Sequence, residues 1–317
     1  MHAISRRIEE LHQVRTHSTP PDDLDKFWAR TVQEALARPV NSSRTEVPSL
    51  FKGMRVWEIA FDGYANTTIH ALYMTPAYLE GPYPCLVTFP GYTGGKGEPE
   101  HYASWILMGC AVLAVDVRGQ GGGTGSMLGS RHGTSKGWIT EGILDKDNCY
   151  YKAVAVDSLR AVQWMTEQPD IDQSRIGATG ASQGGGLSLL VSALHPAISL
   201  TNADIPNLCH IDYGVMHSTG SLSEAADFCR RYPDQTAAVL DNLRYFDMLH
   251  LGGRIRGPVL MSVGLKDTVC LPEQVFPMYH ALASEDKRLD IYPFTGHIVE
   301  PAQQRNAVLF VKKHWQL

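Results

Sequence analysis

The stretch GATGASQGGGLSLL, residues 177–190, sets one serine, Ser182, among residues with almost no side-chain bulk. An apolar run, RIGATG (175–180), leads into it, and QGGGLSLLVSALH (183–195) follows. Together they read as a strand, a tight turn and a helix. A helix entered directly from a strand belongs to an α/β architecture, in which a mostly parallel sheet is covered by helices on both faces. Two explanations fit so small a turn. It is a plain helix entry, with serine as a favoured N-cap, or it holds a nucleophile on strained backbone. The second case requires small residues two positions before and two after the serine, and Gly180 and Gly184 meet that requirement.

The same alternation repeats along the chain. CLVTF (85–89), CAVLAVDV (110–117), PVLMSVG (258–264) and LDIYPF (289–294) predict strands. HYASWILMG (101–109), YKAVAVDSLRAVQWMTEQ (151–168), EQVFPMYHALA (273–283) and AQQRNAVLFVKKHW (302–315) predict helices. Ahead of them, VWEIAF (56–61) and IHALYM (69–74) predict an antiparallel pair joined around Gly63–Asn66. Residues 1–45 are polar, and within this arm Leu24, Phe27, Trp28, Val32 and Ala35 recur at helical period until Pro39 stops them. The expectation is a single domain over residues 1–317, with 1–45 as a helical extension packed on it. The Gly-rich region 118–150 reads as a long connection, and such connections are usually functional.

Composition narrows the function classes. The chain has 317 residues, 44% of them hydrophobic and 19% charged, enough for a sizeable core. A formal net charge of −5 argues against nucleic acid or an anionic membrane surface as the main partner. No run of about 18 apolar residues predicts a membrane span. The start, MHAISRRIEELHQ, lacks the apolar centre of a secretory leader. Six cysteines (Cys85, Cys110, Cys149, Cys209, Cys229 and Cys270) form no CxxC pair and read as reduced thiols. A cytoplasmic location is expected.

A serine hydroxyl is a poor nucleophile until a base takes its proton, and the base needs an orienting acid. In α/β sheets such groups gather at the carboxyl ends of strands, in the chain order serine, acid, histidine. LKDTV after PVLMSVG places Asp267 just past a strand, and TGH after LDIYPF places His297 likewise. His280 and His314 fall inside helix patterns, and His210, His217 and His250 follow no late strand. Asp247, in RYFDMLHL, is the rival acid. A second serine pattern, Gly133-Thr134-Ser135-Lys136-Gly137, has no apolar strand before it and no clear helix after it. The oxyanion of acyl transfer needs two preset donors. The backbone N–H of Gln183 is one, and that of Tyr92, in FPGYTGG, is the other. No residues stand at metal-ligand spacing, so neither metal nor cofactor is expected.

Combined, these motifs resemble carbohydrate esterase family seven, the acetyl xylan esterases and cephalosporin C deacetylases of the α/β-hydrolase superfamily. The residues that carry the resemblance are Arg118-Gly119-Gln120, the Ala181-Ser182-Gln183-Gly184 turn, GWITEGILDKDNCYY (137–151), RYFDMLHL and PVLMSVGLKD. The resemblance implies the α/β-hydrolase fold and a triad of Ser182, Asp267 and His297. It implies an oxyanion hole from the N–H groups of Tyr92 and Gln183, and a mainly structural role for the Arg118 motif. It further implies a metal-free enzyme that removes acetyl groups from small acetylated sugars, including xylo-oligosaccharides, and from cephalosporin C, as a homo-hexamer whose sites face an internal space. Three positions depart from the family pattern: Pro90 in place of histidine, Ile298 in place of the glutamate after His297, and IPNLCHIDYG (205–214), poorer in aromatics than the family's pocket-forming segment. Two other readings stand beside this one: a broader short-chain carboxylesterase or other serine hydrolase of the same fold, and a non-catalytic binding protein. The last predicts a broken triad, whereas here all three roles are filled.

Overall fold

The computed structural model describes residues 2–129 and 136–317. Ser135, the centre of the second serine pattern, lies outside them. In chain order the elements are α1 (Ala3–His12), α2 (Leu24–Leu36), β1 (Ser43–Val47), β2 (Met54–Asp62), β3 (Thr68–Pro76), β4 (Tyr83–Phe89), α3 (Ala103–Leu107) and β5 (Ala111–Val115). There follow α4 (Tyr150–Thr166), β6 (Ile171–Ala181), α5 (Gln183–Leu194), β7 (Ile198–Asp204), α6 (Ile211–His217), α7 (Leu222–Arg231) and α8 (Thr236–Leu243). The chain closes with β8 (Val259–Gly264), α9 (Pro272–Ala281), β9 (Lys287–Tyr292) and α10 (Pro301–Trp315).

The strands form one sheet in the order β1-β2-β3-β5-β4-β6-β7-β8-β9. β1, β2 and β3 run antiparallel, β3 meets β5 antiparallel, and all later pairings are parallel. The parallel strands are the near-continuous apolar runs expected of a sheet covered on both faces: every residue of β5 and β8 is buried. Register is what makes a site. Phe89 pairs with Gly180, Ala181 with Asp204, Asp204 with Ser262 and Gly264 with Tyr292. The carboxyl ends of β4, β6, β7, β8 and β9 therefore align side by side. The loops after them, far apart in sequence, emerge along one edge.

Two parts of the architecture differ from the sequence expectation. β1 begins inside the segment expected to be a helical arm. Its residues are almost all exposed and lack apolar alternation, so no periodic signal marks them. As an edge strand it carries charge, with Arg55 of β2 paired to Glu46 and Arg44 paired to Asp170. Between β7 and β8 the chain forms α6, α7 and α8, for which the sequence pattern predicted no elements. These helices are short, and Gly214, Gly220 and Pro233 interrupt any long period. Trp28 of α2 is fully buried, its Nε1 donates to the Tyr245 carbonyl at 2.9 Å, and Phe27 meets Tyr245 and Phe246 edge-on.

The glycines around Ser182 are there for space. A Cβ on Gly184 would lie 2.0 Å from the Phe89 carbonyl oxygen, and one on Gly180 would lie 2.5 Å from the Gly184 carbonyl carbon. Both contacts are with backbone, which cannot swing aside. Gly184→Ala is therefore expected to lower unfolding free energy by about 1–3 kcal/mol, read as a reduced urea midpoint with an unchanged m-value.

Candidate active site

Ser182 stands between β6 and α5 with φ 57° and ψ −120°, a conformation that non-glycine residues rarely adopt. The turn is held by its backbone. Ser182 N–H donates to the Asp204 carbonyl at 2.9 Å, and its own carbonyl accepts from Gly186 N–H at 3.0 Å and Asn207 N–H at 2.9 Å. Its side chain does not cap α5, so the plain helix-entry explanation does not account for the hydroxyl. The hydroxyl instead lies 2.9 Å from His297 Nε2. His297 Nδ1 lies 2.8 Å from Asp267 Oδ2. The Asp267 side chain is fully buried, and its Oδ1 accepts from the N–H groups of Val269 at 2.8 Å and Cys270 at 3.0 Å. The His297 side chain is 26% exposed, so this end of the hydrogen-bonded chain reaches the surface.

The loops after β8 and β9 are tied directly to each other. Leu265 N–H donates to the Tyr292 carbonyl and Lys266 N–H to the Thr295 carbonyl, both at 3.0 Å. Ile298, which departs from the family pattern, is exposed. Glu300, two positions on, accepts from the Thr295 hydroxyl at 2.6 Å and so braces the turn that carries His297. The buried Cys270 Sγ lies 4.0 Å from Ser182 Oγ, and burial pushes its thiol well above the ordinary range. The five competing histidines point elsewhere. His210 bonds the Glu273 carbonyl and stacks on Tyr213, His217 packs on that same ring, His250 meets Ser18, His280 meets His12, and His314 bonds Asp286.

Tyr92 and Gln183 bring the other two expected groups. Gln183 opens α5, so its N–H has no intrahelical acceptor. Among the described residues, the Tyr92 N–H has none either. The loop carrying Tyr92 lies beside the turn: a Cβ on Gly91 would sit 3.9 Å from Ser182 Cβ. Two residues outside the expected triad and oxyanion donors anchor this loop. Gln120 accepts from Thr93 N–H at 2.9 Å, and its amide donates to Gln183 Oε1 at 2.9 Å and Tyr150 Oη at 2.8 Å. It thereby joins the β4 loop to the serine turn. Glu224, on α7, accepts from the Tyr92 hydroxyl at 2.6 Å, while Trp138 N–H donates to the same hydroxyl at 3.1 Å. Burial, then the bond to Glu224, pushes the Tyr92 phenol up. Burial likewise raises the Glu224 carboxyl. Gln120 was visible in its motif, but Glu224 sits in SLSEAADF, an amphipathic stretch with nothing to single it out.

Arg118 is fully buried. Its Nε and Nη2 donate to Asp157 at 2.6 and 2.8 Å, Nη1 donates to Thr67 Oγ1 at 3.1 Å, and Nη2 also reaches the Tyr64 carbonyl. It binds the β2–β3 turn to α4 and does not approach Ser182. The segment 205–211 is buried behind the serine turn. Ile205, Leu208 and His210 adopt left-handed backbone there.

The rival acid, Asp247, organises that segment. Its carboxylate accepts from the N–H groups of His210, Ile211 and Leu249 at 2.7 to 3.0 Å. Burial pushes its carboxyl from 3.8 up to about 6. A folded-state value above the unfolded one stabilises the fold at low pH, and this contribution fades as pH rises from about 4 through about 6. Asp247→Asn removes the titration. Its stability relative to wild type should rise between pH 4 and pH 7, by about 3 kcal/mol at most, measured by urea unfolding at both pH values.

Comparisons with known proteins identify the family. The family model described as Acetyl xylan esterase (AXE1) matches residues 1–315. The acetyl xylan esterase of Paenibacillus sp. R4 superposes with a TM-score of 0.93 at 33% identity, covering 96% of this chain and 99% of its own. Acetyl xylan esterase 1 of Thermoanaerobacterium sp. JW/SL YS485 superposes with a TM-score of 0.90 at 29% identity, covering 96% and 98%. Acetyl esterase Axe7A of Xylanibacter ruminicola is 26% identical over 312 residues, which span 95% of this chain and 69% of that protein. With its strand order, its serine turn and a family match over nearly its whole length, this chain belongs to the acetyl xylan esterase family and is a carboxylic ester hydrolase of the α/β-hydrolase fold.

Proposed function

We propose that this enzyme removes acetyl groups from small acetylated carbohydrates, acetylated xylo-oligosaccharides first and cephalosporin C second, through Ser182, His297 and Asp267. The observation that carries the mechanism is the hydrogen-bonded chain from Ser182 Oγ to His297 at 2.9 Å and on to Asp267 at 2.8 Å. His297 Nε2 takes the Ser182 proton as Oγ bonds the acetyl carbon, and the carbonyl electrons move onto oxygen. The N–H groups of Tyr92 and Gln183 receive that oxyanion, each contributing about 3 kcal/mol in comparable sites. The carbon–oxygen bond to the sugar then breaks, and His297 gives its proton to the leaving hydroxyl. Water, deprotonated by His297, attacks the acetyl-enzyme and releases acetate and Ser182. Asp267 holds the imidazole tautomer and stabilises the imidazolium.

Further parts of this reading concern the whole protein. The chain is one domain, supported by the burial of Trp28 and Leu11 of the arm in the same core as the sheet. A cytoplasmic location is supported by cysteines that are all unpaired, five of them buried. Assembly into a hexamer would cover Phe294 and Ile298, exposed apolar residues flanking His297. The test of substrate class is hydrolysis of aryl acetate, butyrate and octanoate, followed by acetylated xylo-oligosaccharides. Acetate should be the preferred acyl group and the sugars should be deacetylated. Equal turnover of octanoate would replace this reading with that of a broader carboxylesterase.

A further inference from the structure

A cavity of about 380 Å³ lies between the N-terminal arm and the body, lined by no residue of the serine turn, the Tyr92 loop or the late loops. One wall is Thr31 and Glu34, spaced to share a face of α2, with Arg38 just beyond the end of that helix. The facing wall is Lys152, Val156 and Arg160, every fourth residue of α4. The turn between β2 and β3 closes the third side with Asp62, Tyr64 and Asn66.

Arg160 builds the cleft rather than serving a ligand. Its guanidinium donates to the carbonyls of Ala35, Arg38, Pro39 and Asp62 and to Gln163 Oε1, which engages all three of its nitrogens. Other groups are not used up. Thr31 is 1% exposed, yet its Oγ1 has no partner among the described residues. Helical threonines ordinarily return the hydroxyl to a carbonyl one turn back, and a buried hydroxyl without a partner is costly. Lys152 is also buried, and its ammonium, with three donors, has one hydrogen-bond partner among the described residues, Asp147 Oδ1 at 3.3 Å, with the Phe27 and Tyr64 rings 5.6 and 6.0 Å away.

We infer that this cleft is a second ligand site that takes a neutral polyhydroxylated molecule of mono- or disaccharide size. Two acids, Glu34 and Asp62, line the cleft together with three bases, Arg38, Lys152 and the carbonyl-bound Arg160. An anion would meet the carboxylates and a cation the bases. Sugar hydroxyls donate to the first and accept from the second, and one can also pair with Thr31. Val156 and the Tyr64 ring offer apolar surface to the C–H face of a sugar. The volume falls within the range of about 300–1,000 Å³ usual for small-molecule pockets. The inference does not depend on the proposed esterase mechanism.

The test is calorimetric titration of the full chain with xylose and xylobiose, after Ser182 has been blocked by a serine-directed phosphonate. Saturable binding of at least one sugar is expected. Glu34→Ala should weaken it about tenfold and Thr31→Val about fivefold, with aryl acetate turnover of the unblocked variants unchanged. Thr31→Val should leave the ligand-free protein as stable as wild type or more so, because the hydroxyl it removes has no partner. Glu34 is exposed, so its variant reads the site without risk to folding. Absence of saturable binding would overturn the inference, as would binding indifferent to both substitutions. Binding of inorganic sulfate in place of the sugars would also overturn it and identify an anion site.

Discussion

Ser182→Ala is expected to lower kcat for aryl acetates by about 10⁵–10⁶-fold while leaving the fold in place. The size follows from the proposed chemistry: without Oγ there is no acyl-enzyme, and only the oxyanion donors and substrate binding remain. Preservation of the fold follows from the bonds around the residue. The turn is held by the Ser182 N–H to Asp204 and by the Ser182 carbonyl, which accepts from Gly186 and Asn207. All three are backbone bonds that alanine retains. The hydroxyl makes one strong contact, to His297, so stability should change by no more than about 1 kcal/mol. Burst kinetics with an aryl acetate and a urea titration on the same preparation check both halves. Full turnover by a folded alanine variant would remove Ser182 from the mechanism.

Asp267→Asn is expected to cost about 10⁴-fold in kcat with little change in KM. The local bonds decide how the asparagine sits. Val269 and Cys270 both donate N–H groups to Oδ1, so the amide oxygen occupies that side. The amide nitrogen then faces His297 Nδ1, where the carboxylate had accepted a hydrogen bond. A donor there favours the imidazole tautomer protonated on Nε2, which cannot take the proton from Ser182. The variant keeps the two backbone bonds and so its loop. Steady-state kinetics with aryl acetate would give near-normal kcat only if another group orients the base. Asp247 does not offer itself for that part, because its carboxylate is taken up by three backbone N–H groups beside the buried 205–211 segment.

Much of this was legible in the sequence because it depends on local pattern. The strand–turn–helix around Ser182, the apolar runs of the parallel strands, and an acid and a histidine each just beyond a late strand are short-range features. Those patterns predict the α/β fold, and the structure has it. Elements without such a pattern were not visible. β1 is an exposed, charged edge whose pairing is set by β2, and α6 to α8 are too short and too interrupted to show a period.

What the chain alone determined is which residues stand at the carboxyl ends of its strands. Apolar periodicity sets the strand ends, and Gly180 and Gly184 leave room for a turn between β6 and α5. Only the tertiary structure decided the strand order and register that bring the β4, β6, β8 and β9 ends into one line, 115 residues of chain closing to 2.9 Å between Ser182 and His297. It alone showed that Gln120 joins two of those loops, that Glu224 holds the Tyr92 ring, and that Thr31 and Lys152 share a cleft with the β2–β3 turn. The reason is physical: a hydrogen bond or a cavity between distant segments depends on how the sheet is ordered and how the helices lie on it, and neither is written in the few residues around any one partner.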